Sequence, residues 1–347
     1  MSRSACVACV LLVLCVSVAS RSHAQGFDSI NALTWDSFGD QLVIVHGKSS
    51  LAGCRPDIVS PQWIELRDID DSSSITADLR GVTCGVSAVD FTNDNAYILV
   101  RSEAGRVHIL ASSDLSYISV IETTSAGIQL VTSPSDATTY LFPLSVNSVA
   151  VYEFETAPFV DELIGAVTIS QGDHTDRINA ADWDPTGTRI VTVSDDRTVA
   201  IWDAETFGLV ERITDPDNLG VSHVAWSPVG GLIAFANHNN VMTVWDVNAQ
   251  DTEARVLLGS TMLNKLVWSP DGTRIATAGE DGTVKVWDAS NGVLLDTLTY
   301  PGPVYALDWH PNGEQIAYGG ADLTGSPPEV VIADAPEIPP TATPIDN

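Results

Sequence analysis

A chain of 347 residues with 45 acidic side chains, 16 lysines and arginines and a net charge of −29 repels phosphate backbones and anionic headgroups, since binding to either draws its affinity from lysine and arginine. Nucleic acid is not expected as a partner. The acids are mainly Asp and the only lysines are Lys48, Lys265 and Lys285, a balance that favours either solubility through repulsion or attraction for a cationic partner.

Met1-Ser2-Arg3-Ser4 is followed by an uncharged apolar run from Ala5 to Val18 and by Ser22-His23-Ala24. That is the plan of a secretory signal peptide over residues 1–24, cut after Ala24. The run is too short to span a bilayer, so no membrane insertion of the remaining chain is expected. Three of the five cysteines lie in this segment, leaving Cys54 and Cys84 for an oxidising compartment.

Strands are expected next at about Gln41–His46, Gln62–Arg67 and Ser74–Leu79, with another opening near Val86. Cys54 falls in the loop between the first two and Cys84 in the connection after the third. Both loops open on one face, which predicts a Cys54–Cys84 disulfide. Asp68, Asp70 and Asp71 resemble the start of a calcium loop but lack the glycine and glutamate that complete one, so they read as a solvated turn.

Further along, the chain repeats itself. Ile178–Asp203 reads INAADWDPTGTRIVTVSDDRTVAIWD and Leu263–Asp288 reads LNKLVWSPDGTRIATAGEDGTVKVWD, aligned without a gap. Each holds a short strand ending in Trp, a Pro and Gly turn, a second strand, an acidic turn and a third strand ending in Trp-Asp. The strand-ending position recurs at Trp35, Phe91, Thr132, Trp183, Trp226, Trp268 and Trp309, mostly at the roughly 40–45 residues that one four-stranded unit needs. No segment keeps a helical period. Four strands cannot bury both faces of one sheet, but seven sheets stacked about an axis can. The expected fold is all-β, a seven-bladed propeller of four-stranded antiparallel blades over residues 25–335. The last blade is expected to be incomplete, and residues 336–347, rich in Pro and Thr, form a disordered tail.

The chain resembles the WD-repeat propeller family, and is read as a secreted member of bacterial type. Trp202-Asp203, Trp245-Asp246 and Trp287-Asp288 carry the resemblance. It implies a structural tetrad of His174, Thr192, Asp196 and Trp202 in blade four. Blade six keeps Thr277, Asp281 and Trp287 without the histidine, and blade five has Asn239 in place of the aspartate.

Catalytic fingerprints for zinc proteases, α/β-hydrolases, phosphate loops and dinucleotide binding are absent, and no cofactor or metal is expected. His223 and Lys265 share one position of the inner strand and read as channel lining. His310 reads as a turn residue. Loops on a rigid scaffold are the general place for binding residues, and the repeat register puts Arg177, Asn179, Ser222, Met262, Asn264 and Tyr305 at the channel mouth. Asp195, His238 and Glu280 lie beside them. Arg, Met and Tyr suit interface centres, so Arg177, Met262 and Tyr305 are the expected anchors. The expected function is a monomeric, non-catalytic extracellular platform for a protein or other ligand. The alternatives are a glycan hydrolase or lyase using Glu280, His238 and Arg177 at the mouth, and a tethered sensor.

Overall fold

The computed structural model describes residues 29–338, apart from 48–61, 71, 80–84, 103–104, 123–129, 146–147, 154–166, 169–173, 250 and 259–261. The segment expected to be a signal peptide, Cys54, Cys84 and residues 339–347 lie outside the described residues.

The described strands form seven antiparallel sheets. Blade one is β1 (Ser29–Trp35), β2 (Gln41–Gly47), β3 (Trp63–Asp68) and β4 (Ser74–Asp78); blade two is β5 (Val86–Phe91), β6 (Tyr97–Ser102), β7 (Arg106–Ala111) and β8 (Tyr117–Glu122). Blade three is β9 (Val131–Thr132), β10 (Thr139–Ser145), β11 (Ser148–Glu153) and β12 (Val167–Thr168). Blade four is β13 (Ile178–Trp183), β14 (Arg189–Ser194), β15 (Thr198–Asp203) and β16 (Leu209–Thr214); blade five is β17 (Val221–Trp226), β18 (Leu232–Asn237), β19 (Val241–Asp246) and β20 (Asp251–Leu257). Blade six is β21 (Leu263–Trp268), β22 (Arg274–Gly279), β23 (Thr283–Asp288) and β24 (Leu294–Thr299), and blade seven stops at three strands, β25 (Val304–Trp309), β26 (Gln315–Gly320) and β27 (Val331–Asp334). The strand-ending tryptophans Trp35, Trp183, Trp226, Trp268 and Trp309 all close the first, innermost strand of a blade.

The middle strands of each blade read as near-continuous apolar runs because both of their faces meet a neighbouring blade. Ile190, Val191 and Val193 of β14 and Val199, Ala200 and Ile201 of β15 are fully buried. Fourth strands such as β16 and β24 are mostly exposed. Asp184 and Asp271 shape the turns leaving the inner strands: Asp184 accepts from the Thr188 and Arg189 amides, and Asp271 from the Thr273 amide and hydroxyl.

The ring closes between blades seven and one without exchange of strands among the described residues. Ile30, Leu33, Trp35, Leu42 and Ile44 of blade one pack with Ala306 and Ala317 of blade seven, and Ser29 bridges Ala321. His310 stands edge-on to Trp35 with centroids 4.7 Å apart and donates from Nε2 to the Gly39 carbonyl at 3.1 Å. Gly39 has φ +83°, and a Cβ there would sit 2.3 Å from His310 Nε2, so only glycine admits this contact. Pro336, where a free tail was expected to begin, is held by its carbonyl on Arg274 Nη1 at 2.8 Å.

Trp202 is 1 % exposed and donates to Thr192 Oγ1 at 2.8 Å. Trp202→Ala should cost about 3–5 kcal/mol in denaturant titration, as expected for a large buried side chain. A loss under about 1 kcal/mol would show that the blade-four core does not depend on it.

Candidate functional site at the channel mouth

Each of the six inner strands with described pairing along its length carries a bulge at the same place, four residues before its closing aromatic: between Ile30 and Ala32, Val86 and Ala88, Ile178 and Ala180, Val221 and His223, Leu263 and Lys265, and Val304 and Ala306. A bulge leaves one residue without a partner and re-aims its side chain. Asn31, Ser87, Asn179, Ser222, Asn264 and Tyr305 occupy that position, at the rim of the mouth. Asn179 Nδ2 donates to the Val221 carbonyl at 2.8 Å and to Asp195 Oδ1 at 2.6 Å. Asn264 Nδ2 donates to the Val304 carbonyl at 2.9 Å. Both side chains therefore tie one blade to the next. Ser222 donates to the Ala236 carbonyl and lies 2.9 Å from His223 Nδ1.

Asp195 also pairs with His238 Nε2 at 2.7 Å, so Asn179, Asp195 and His238 form one polar chain across the seam between blades four and five. Arg177 and Met262 are exposed, Met262 at 69 %. Tyr305 is partly exposed, and Glu280 uses its backbone to accompany Met262, its amide donating to the Met262 carbonyl. No hydrogen bond or ion pair joins Glu280, His238 and Arg177 among the described residues, and the acid–base grouping that a hydrolase would need is not assembled.

Below the rim lies a feature that repeat counting missed. Asp90, Asp182 and Asp308 each stand one residue before the end of an inner strand, and each carboxylate reaches the neighbouring blade. Asp182 Oδ2 accepts the Trp226 amide at 2.7 Å while Oδ1 accepts its own neighbour's, Trp183, at 2.8 Å. Asp308 does the same for Trp35 at 3.0 Å and Trp309 at 2.9 Å, and takes the Thr34 hydroxyl at 3.1 Å. Asp90 accepts the amide and hydroxyl of Thr132 at 3.0 and 2.8 Å. The legible signal was the acid directly before the strand-ending aromatic, in Asp90-Phe91, Asp182-Trp183 and Asp308-Trp309.

These acids keep partial access to the channel, yet protein surrounds them. Burial pushes Asp182 up to about 7 and Asp308 up to about 6, against the pull of their amide donors and of Lys265, and raises Asp90 as well. Lys265 is the cation that all three sense. Burial drives His223 the other way, down to about 4, so it is neutral at neutral pH. Among the described residues no group of three His, Cys, Asp or Glu side chains is placed to hold a metal ion.

The blade-four tetrad residues meet. His174 Nδ1 lies 2.8 Å from Asp196 Oδ2, and Nε2 lies 2.7 Å from Thr192 Oγ1, which also accepts Trp202 Nε1. With Nδ1–H given to Asp196, Nε2 is left to accept the Thr192 hydroxyl. Burial opposes ionisation of Asp196, but bonds from Thr198, the Thr175 amide and His174 hold it below its ordinary value. His174 is committed to structure. In blade six Trp287 still donates to Thr277 at 2.9 Å, while Asp281 faces Lys285 at 3.7 Å and Lys285 Nζ donates to the Leu258 carbonyl. In blade five Phe235 fills the place of Thr192, and Trp245 Nε1 is buried without a partner.

Comparison with known proteins agrees with this geometry. The WD domain, G-beta repeat family matches residues 166–203, 253–288 and 292–324. Among solved structures, a chain of a mitotic checkpoint complex superposes with a TM-score of 0.65 at 16 % identity, covering 90 % of this chain and 95 % of that one. The Cps50 (Swd1) β-propeller domain of Myceliophteria thermophila superposes at 0.70 with 12 % identity, covering 84 % and 93 %. At such identities the likeness shows the fold.

Curated relatives match over shorter stretches. "Protein HIR1" of Cryptococcus neoformans is 41 % identical over 63 residues, 17 % of this chain and 7 % of that protein. "Probable cytosolic iron-sulfur protein assembly protein Ciao1" of Culex quinquefasciatus is 29 % identical over 100 residues, 27 % of this chain and 30 % of that protein. The chain thus spans under a third of the curated relatives it matches. The chain carries WD repeats and is not read as an enzyme. The expected secretion is overturned, because the relatives are eukaryotic and one is named for the cytosol; the bacterial, secreted type finds no support, and neither does the Cys54–Cys84 disulfide expected from the loop register, whose cysteines lie outside the described residues.

The channel acids have a pH signature. A carboxyl whose folded value is raised binds its proton in the native state first, so its favourable contribution is full below about 3.8 and is lost as pH rises through about 6 for Asp308 and about 7 for Asp182. The stability of the wild type relative to Asp182→Asn/Asp308→Asn should therefore fall steadily from pH 5 to pH 8 in urea titrations. A difference that stays flat or rises would show that these carboxylates are not desolvated.

Proposed function

We propose that this chain, a WD-repeat β-propeller, is a scaffold that holds other proteins at the mouth of its channel, with Arg177, Met262 and Tyr305 as anchors. The observation that carries the reading is the contrast at the rim. Asn179, Asp195, His238 and Asn264 are fixed by bonds between blades, while the large apolar side chain of Met262 stands 69 % exposed on the same rim. Arg177 and Met262 each directly precede an inner strand and Tyr305 lies at the bulge of another, and exposed methionine, arginine and tyrosine on a rigid frame have the makeup of an interface centre. Similarity to a protein named for cytosolic iron-sulfur protein assembly supports the same role.

The acidity of the chain favours a cationic partner, whose approach would be steered by the surface and weakened by salt. A hydrolase at the mouth has no comparable support, since His238 and His223 are held by Asp195 and Ser222 and no carboxylate pair is seen to converge on them among the described residues.

Co-purification from the chain's own host, followed by capture with purified candidates, tests the reading. Arg177→Ala/Met262→Ala/Tyr305→Ala should lower affinity for the captured partner at least tenfold, because anchor truncations cost on the order of 2 kcal/mol each, while the melting curve is unchanged. Capture at full strength by the triple variant would place the interface elsewhere.

A further inference from the structure

The inner strands run from the mouth to the opposite face, where the chain turns back through residues 36–40, 92–96, 133–138, 184–188, 227–231, 269–273 and 310–314, all of them described. These turns hold no lysine or arginine, and Asp40, Asp94, Asp136, Asp271 and Glu314 stand exposed in them. The third residue of a turn commonly closes it. Asp94 accepts the Thr92 hydroxyl and the Ala96 amide, Asp271 the Ser269 hydroxyl and the Thr273 amide, Thr186 donates to Asp184, and Asn312 accepts the Glu314 amide. Phe38 and Val229 occupy that place in blades one and five, can accept nothing, and stand 75 % and 63 % exposed. Asp36 closes the blade-one turn without Phe38, accepting the Gly39 and Gln41 amides. In blade five the exchange has a cost: Ser227 Oγ is fully buried with no partner among the described residues, whereas its counterpart Ser269 has Asp271. A buried polar group left unmet calls for a reason, and two turns that give up a closing side chain to present an apolar one to solvent serve something outside the fold.

The two tips lie on one unbroken arc. Val229 packs so closely on Gly272 of blade six that a Cβ there would clash, and Arg274 of blade six donates to the Gly313 carbonyl of blade seven. His310 of blade seven donates to Gly39 beside Phe38, and Asn95 of blade two donates to Ser37. Asp271 and Glu314 belong to the two turns between the tips, Asp40 to the turn of Phe38 and Asp94 to the turn bonded to it. We propose that this arc docks a partner protein through a segment with lysine or arginine between two apolar residues. The proposal shares with the proposed function only the premise that the propeller binds proteins, and it concerns the opposite face. Charge and order select the occupant. Residues 339–347 follow on from this face, since Ala335 and Pro336 are bonded to Glu314 and Arg274, but they hold no lysine or arginine and would bring Asp346 to a row of acids. Residues 1–28 join β1 at the mouth end and carry an apolar run between Arg3 and Arg21, the reverse of the order that the arc fits. A second copy would set this face against an equally acidic one or against the mouth, where Arg177 and Arg197 are exposed, and the net charge of −29 on each chain opposes both.

The test uses the full chain and labelled peptides, read by fluorescence anisotropy. One peptide has lysines between two terminal leucines, a second replaces the lysines with glutamates, and a third replaces the leucines with glycines. The first should bind at least about tenfold more tightly than either other, since one control loses the charge pairs and the other the buried side chains. Phe38→Thr/Val229→Asp gives the two turns the residues that blades four and six have at Thr186 and Asp271, so it should keep the melting curve or raise it. It should lower affinity for the first peptide at least about tenfold, although it adds a carboxylate that attracts lysine. Unchanged affinity in that variant, or no binding of the first peptide to the wild type, overturns the proposal. Asp40→Lys/Glu314→Lys should turn the preference to the glutamate peptide. Hydroxyl-radical labelling of Phe38 in the free chain as slow as that of buried Phe235 would show the chain's own residues covering the arc and overturn the proposal. So would sedimentation of the wild type as an oligomer that Phe38→Thr/Val229→Asp returns to a monomer, because the occupant would then be a second copy. Binding should survive in Arg177→Ala/Met262→Ala/Tyr305→Ala, so that this face stands whatever becomes of the mouth; a loss there would assign the peptide to the mouth and overturn the proposal.

Discussion

In a blade the innermost strand pairs on one side only, and its other edge turns toward the axis, where the peptide N–H groups need acceptors that no strand supplies. An unmet buried N–H costs about as much as a lost hydrogen bond. Asp90, Asp182 and Asp308 answer this constraint at three seams by reaching across to Thr132, Trp226 and Trp35. The same carboxylates that satisfy the edge also join the blades, so edge chemistry and ring assembly become one interaction. Asn179 and Asn264 add carbonyl-directed ties at two seams. The guanidinium groups of Arg189 and Arg274 lie over Trp226 and Trp309 at 4.9 Å.

This explains how a ring can close on the three strands that blade seven shows among the described residues. The seam between blades seven and one has the carboxylate of Asp308, the His310 contact to Gly39 and the apolar cluster around Ile30 and Trp35. All of these sit on the inner two strands or the turns that join them, so the seam does not draw on the outer strands of either blade. The cost of placing carboxylates near the axis appears in the raised values of Asp182 and Asp308, with Lys265 as their shared counter-charge.

Much of the architecture was legible because the repeat unit has strong punctuation. Trp at the end of the inner strand, Pro and Gly in the turn that follows, and Trp-Asp on the third strand set blades four to six almost to the residue, and the first two signals set the inner strands of blade seven. Position alone could not reveal the role of Asn179 and Asn264, which look like exposed rim residues in the register. The bulge before Ala180 and Lys265 turns both toward the next blade, and a period of two hides a bulge. The channel carboxylates escaped for a related reason, since their partners are backbone amides 42 and 44 residues away for Asp90 and Asp182 and 273 residues away for Asp308, and amides carry no sequence signature. The secreted location rested on an apolar N-terminal run, and similarity to a protein named for the cytosol outweighs a pattern that short.

A scaffold needs a surface whose shape survives the loss and gain of partners, and the mouth gains that rigidity from the seams beneath it. The inner strands, through Asp308, hold the ring shut. Amide hydrogen exchange at Trp35 measures this most directly. Protection of the Trp35 amide should be comparable to that of Trp226, whose amide is held by Asp182 within the continuous part of the ring. Exchange at Trp35 as fast as at an exposed turn amide, with Trp226 still protected, would contradict it.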